Sequence, residues 1–152
     1  MDRKPKILFL STGNSNRSQM AEGFLRDLAG NTVDVVSAGI EPGDISPLAV
    51  EVMKEAGVDI SHQHPKNITE SLKERFGYVI TVSDMARERA PIFPFTPNLL
   101  HWSLEDPGIA EGSAEEKKTA FVRVRDEIRE KVQTFFHDFT ANNLTRTKAA
   151  TA

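Results

Sequence analysis

Ile7-Leu8-Phe9-Leu10-Ser11-Thr12-Gly13-Asn14-Ser15-Asn16-Arg17-Ser18-Gln19-Met20-Ala21-Glu22-Gly23 is the stretch on which the fold turns. Its first four residues form a short, unbroken apolar run. Bounded by turn formers, such a run suits a parallel strand buried on both faces. The next six, Ser11–Asn16, are turn residues. From Arg17 the period changes: Met20, Phe24, Leu25 and Leu28 recur at helical spacing, and Gly30-Asn31 closes the helix. Strand, polar loop, helix is the opening of an open α/β sheet, in which ligands gather beyond the carboxyl ends of the strands.

The loop from Ser11 to Ser18 lies at such an end. A chain that turns sharply into a helix aims several backbone N–H groups at one point, and the helix adds about half a positive charge there. Arg17 supplies a forked grip for a tetrahedral oxyanion. Gly13 admits positive φ, and Asn14 tolerates it while bracing the loop through its side chain. Read by itself, the same stretch also fits a plain strand-to-helix loop capped by Ser15 or Asn16. It is not a nucleotide-binding P-loop, because the G-x-x-x-x-G-K-S/T spacing is absent.

Outward from this stretch the alternation continues. Val33–Ala38 reads as a second strand closed by Gly39, and Ser46-Pro47 as the cap and first turn of a helix reaching about Ala56. Asp59–Asn67 is a polar loop, and Thr69 caps a short helix through Leu72 and Phe76. Tyr78–Val82 is the third strand. Pro91, Pro94 and Pro97 make Ala90–Asn98 unsuitable for a helix or central strand. Leu99–Trp102 is a fourth strand. After Asp106-Pro107-Gly108, one face of a long helix carries Phe121, Val124, Ile128, Val132, Phe135 and Phe139. The order predicts a three-layer α/β sandwich around a four-stranded parallel sheet, with one domain over 1–140 and a disordered tail over 141–152.

Composition narrows the function. The chain has 152 residues, 39% apolar and 27% charged, with net charge −3. Nothing points to nucleic acid or an anionic membrane, and a cytoplasmic protein is expected. Cysteine is absent, which excludes disulfides, thiolate ligands and thiol nucleophiles. His62, His64, His101 and His137 have no metal-binding spacing and read as surface or loop residues.

Ser11–Gly23 resembles the signature C-T-G-N-S-C-R-S-Q-M-A-E-G of thioredoxin-coupled arsenate reductases, a variant of the C-x5-R-S/T loop of low-molecular-weight tyrosine phosphatases. Only its two cysteine positions differ. The resemblance extends through Ser37-Ala38-Gly39, Gly57-Val58-Asp59-Ile60-Ser61, Thr81-Val82-Ser83-Asp84, and His101-Trp102 with Asp106-Pro107. It implies a phosphate-binding loop made by Thr12, Gly13, Asn14, Ser15, Asn16, Arg17 and Ser18. It implies a nucleophile at the Ser11 position, a transition-state clamp at Arg17 and a general acid at Asp106. In the reductases the redox cysteines stand at the Ser83 and Ala90 positions, and thioredoxin reduces the disulfide they form. Asn14, Glu22 and Ser37 resemble positions that brace the loop and in some reductases bind potassium. Asp106-Pro107-Gly108 also reads as a simple turn, and Glu22 as a first-turn helix acid.

The departures are chemical. A thiolate is reached from a pKa near 8.5 and lowered further by a helix N-terminus and Arg, whereas a serine hydroxyl needs an adjacent general base. Arsenate reduction requires two electrons, which serine and alanine cannot supply. Thioredoxin is therefore not expected as a partner here. Three readings stay open: a module that binds phosphate, arsenate or sulfate without turnover, an engineered or naturally inactive version of an arsenate reductase, and a weak serine-based phosphomonoesterase.

Overall fold

The computed structural model describes residues 4–93 and 96–151, with side chains described as far as 142. Four strands, β1 (Lys6–Ser11), β2 (Asp34–Gly39), β3 (Tyr78–Thr81) and β4 (Asn98–His101), form one parallel sheet in the order β2-β1-β3-β4. The sequence places them within a residue or so at each end. Alternation along β1 assigns the two faces. Ile7 and Phe9 join Val35, Ile80 and Val82 under the helices α1 (Arg17–Ala29), α2 (Pro47–Glu55) and α4 (Ala114–Thr151). Leu8 and Leu10 join Ala38 and Val79 on the other face, under Ile68, Phe76, Phe93 and Ala86 of the short helix α3 (Asp84–Arg89). The result is the expected three-layer α/β sandwich, thicker on the α1/α4 side.

The central strand is buried on both sides, which is why it reads as a continuous apolar run. The α4 stripe also behaves as its spacing requires. Phe121, Val124, Ile128 and Val132 are buried in the main core, and Tyr78 packs edge-on against Phe135 and Phe139 at centroid distances of 5.1 and 5.9 Å. Trp102 packs on Phe9 with centroids 5.7 Å apart, as a wall of this core.

Three local features refine the sequence reading. The turn before β3 is a single 3-10 turn, Ile68–Ser71, and not a helix capped by Thr69. Asn67 takes the cap, its Oδ1 accepting from Thr69 N at 2.9 Å, in keeping with the stronger capping preference of Asn. Helix α4 begins behind a capping box in which Ser113 Oγ accepts from Glu116 N and Glu116 Oε1 accepts from Ser113 N. It runs to Thr151, past Phe139 where the apolar stripe ends and over the stretch read as a tail; residues 141–151 contain neither Gly nor Pro to stop it. Positive φ falls on Asn14, at 52°, and not on Gly13.

Candidate functional site

The loop between β1 and α1 is held in place from two directions. On its outer side, the carbonyls of Ser11, Thr12, Gly13 and Ser15 accept from the backbone N–H groups of Ile40, Glu41, Gly43 and Ser46. Gly39 makes this lacing possible. A Cβ there would lie 2.9 Å from both Asn14 N and Thr12 O, so any side chain would push the loop away from β2.

On its inner side, a closed ring of hydrogen bonds runs behind the loop. Asn14 Nδ2 donates to Ser37 Oγ at 2.9 Å, and Ser37 Oγ donates to Glu22 Oε1 at 2.5 Å. Glu22 Oε2 accepts from Arg26 Nη2 at 2.5 Å, and Arg26 Nη1 donates to Gln63 Oε1 at 2.9 Å. Gln63 Nε2 donates to Gln19 Oε1 at 2.8 Å, and Gln19 Nε2 donates back to Asn14 O at 3.1 Å. Asn14, Gln19 and Ser37 are fully buried and Glu22 nearly so. Buried polar rings of this kind fix one geometry when every member is satisfied. Glu22 sits beyond the first turn of α1, so the reading as a first-turn acid does not hold and the bracing one does. Gln19, Arg26 and Gln63 were not singled out in the sequence.

At the mouth of the loop, Ser11 Oγ lies 2.6 Å from Ser18 Oγ and accepts from Asn14 N at 3.0 Å. Asn16 caps α1 through Oδ1, which accepts from Arg17 N at 2.6 Å, and its Nδ2 reaches Asp106 Oδ1 at 3.3 Å. Asp106 caps the 3-10 turn Pro107–Ile109 by accepting from Gly108 N at 2.8 Å. Asp106 thus both forms the turn and lies beside the loop. Its Oδ2 lies 3.8 Å from Arg17 Nη2.

Arg17 is the decisive group. Its Nη1 donates to Leu104 O at 2.9 Å, yet Nε is buried and has no partner, alone among buried side-chain nitrogens and oxygens of the described residues. Burial lowers the guanidinium's pKa from its ordinary value, and the carboxylates of Asp106 and Asp84 oppose that effect. The group stays charged at neutral pH.

Ser83 is also brought to the loop. Its Oγ lies 3.0 Å from Thr12 Oγ1 and accepts from Ala86 N as the cap of α3. Ala90 follows α3 as its C-cap and lines a small cavity with Val79, Thr81 and Phe93. His101 departs from the surface reading. It lies in β4 with Nδ1 2.7 Å from Thr81 Oγ1 and Nε2 2.8 Å from Asp84 Oδ1, and the bonds from His101 and Ser103 lower the Asp84 pKa. Among the described residues no histidine hydrogen-bonds Ser11, whose Oγ has Ser18 and Asn14 as partners.

A parallel sheet whose first strand-to-helix loop carries a buried arginine with Asp106 beside it defines a class. Residues 6–149 match the model of the family described as low molecular weight phosphotyrosine protein phosphatase. The chain is 46% identical over 132 residues to an arsenate reductase of Halalkalibacterium halodurans, covering 87% of this chain and 95% of that protein. It is 43% identical over 129 residues to an arsenate reductase of Bacillus subtilis, covering 85% and 93%. A solved structure described as an arsenate reductase in the phosphate binding state superposes with a TM-score of 0.77 at 30% identity, covering 88% of this chain and 98% of that one. The chain belongs to the family of low molecular weight phosphotyrosine protein phosphatases and arsenate reductases, and it contains no cysteine. Among the described residues, no helix is long and apolar enough to cross a membrane.

Proposed function

We propose that the Ser11–Ser18 loop binds a tetrahedral oxyanion (phosphate, arsenate or sulfate) and performs no thiol-based turnover. The observation that carries this reading is Arg17 Nε. A buried donor left unsatisfied costs about 1–3 kcal/mol, a penalty that an oxygen placed at the loop mouth would remove. The Nε edge of a guanidinium grips two oxygens of one anion at once. The first turn of α1 points its positive end at the same place. The 30%-identical reductase described as phosphate-bound supports the choice of ligand class.

The chemistry after binding is limited by the side chains present. In-line attack needs a nucleophile that is ionised or served by a base. Ser11 Oγ is engaged by Ser18 and Asn14 N, neither of them a base. A serine-based phosphomonoesterase is disfavoured for that reason. Reducing arsenate to arsenite needs two electrons from a pair of thiols, and this chain has none. Asp106, read as a general acid, would protonate a leaving oxygen only as a nucleophile attacks, and no activated nucleophile is present.

Equilibrium dialysis against labelled phosphate and arsenate tests the proposal. Saturable binding of one ion per chain, worth about 4 to 8 kcal/mol, is the expected result. No arsenite should form when thioredoxin and its reductant are added. Thioredoxin-dependent arsenite production, or no saturable binding of either anion, would contradict it. Ser11→Cys alone is expected to give slow hydrolysis of an aryl phosphate but still no arsenate reduction.

A further inference from the structure

The resemblance places a potassium ion at Asn14, Glu22 and Ser37 in some reductases, and the side chains here do not fit one. A hard cation needs several oxygens free to turn toward it. Asn14 Oδ1 already accepts from Lys66 N at 2.8 Å. Ser37 Oγ receives Asn14 Nδ2 and points its own proton at Glu22 Oε1. Glu22 Oε2 is taken by Arg26, and Glu22 Oε1 has Lys66 Nζ 3.8 Å away. One buried carboxylate thus faces two side-chain cations, and a third positive charge would enter against both.

Lys66 is built into this position. Its carbonyl accepts from Gly39 N at 2.8 Å, and its ammonium donates to His64 O at 2.9 Å. Its side chain is only 22% exposed. The ammonium is a compact point charge on a stem long enough to reach the buried carboxylate from the loop before Asn67.

We propose that Lys66, assisted by Arg26, is the resident cation of this brace, so that the chain holds its oxyanion loop with its own charge and takes no potassium. The role is positional: Lys66 acts on Glu22 and Asn14, and through them on the loop.

Thermal unfolding of the full chain without any oxyanion, in potassium chloride and in choline chloride at equal ionic strength, tests this. The readout is independent of whether the loop binds phosphate, so failure here is distinguishable from failure of the function proposed above. The unaltered chain is expected to melt at the same temperature in both salts. Lys66→Ala removes the ammonium and leaves room for an ion. It should melt at least about 3 °C lower in choline chloride and recover with potassium. Lys66→Met fills the space without the charge and should fall without recovering. A rise of about 3 °C in the unaltered chain on exchanging choline for potassium would overturn the proposal. So would a Lys66→Ala chain that melts like the parent, or one equally weakened in both salts. The unaltered chain alone decides the matter should neither variant fold.

Discussion

The back and the mouth of the Ser11–Ser18 loop are built on opposite plans. Behind the loop, Asn14, Ser37, Glu22, Arg26, Gln63 and Gln19 close a ring, each polar group answered by another. At the mouth, three residues after Asn14, Arg17 keeps a buried nitrogen unanswered. The difference separates two jobs. The ring holds a backbone shape that includes a non-glycine residue at positive φ. The open nitrogen is the feature on which the proposed anion binding rests. A loop serving only as a connection would have no reason to bury an unpaired guanidinium nitrogen, since that lowers stability.

The comparison is broken most severely from behind. Asn14→Ala removes hydrogen bonds to Ser18, Ser37 and Lys66 N while keeping a φ that alanine resists. It should cost about 3 kcal/mol in urea unfolding and weaken anion binding with it. Gly39→Ala is expected to cost somewhat less, about 2 kcal/mol, because the loop must shift off β2 to admit the Cβ. At the mouth the sign reverses. Asp106→Asn keeps the acceptor for Gly108 N and removes a carboxylate 3.8 Å from Arg17, so phosphate should bind about fivefold more tightly, roughly 1 kcal/mol, by calorimetry.

The smallest effect lies farther out, at Asp84. Its carboxyl is held below the ordinary value of 3.8 by hydrogen bonds from His101 and Ser103. A depressed carboxyl contributes stability that is fully present above the unfolded value and disappears as pH falls through the folded one. Melting temperatures measured from pH 7 down to about pH 2 should therefore fall less steeply below 3.8 for Asp84→Asn than for the parent, by a small margin because the group is exposed.

The mouth was largely legible in the sequence; the back was legible only at Asn14, Glu22 and Ser37. Ser11, Arg17 and Ser18 are carried by a contiguous motif after a strand whose apolar run is unmistakable, and Asp106 by a turn tripeptide. Their positions follow from local chain order. Lys66 and Gln63 sit in a polar loop with no period, and reach Asn14 and Gln19 across 52 and 44 residues. Hydrogen bonds that close over such separations leave no pattern in either neighbourhood. The same limit explains the helix ends. Thr69 and Asn67 are both plausible caps, and only the backbone path chooses between them. The apolar stripe of α4 ends at Phe139 because the core ends there, while the helix itself continues to Thr151 with neither Gly nor Pro in its way.

Calorimetric titration of phosphate into the parent chain, Arg17→Ala and Ser11→Ala puts the central claim most directly. The account predicts saturable binding to the parent, loss of at least about a hundredfold in Arg17→Ala, and a change within about threefold in Ser11→Ala. Equal losses in the two variants, or a parent that binds no better than Arg17→Ala, would contradict it.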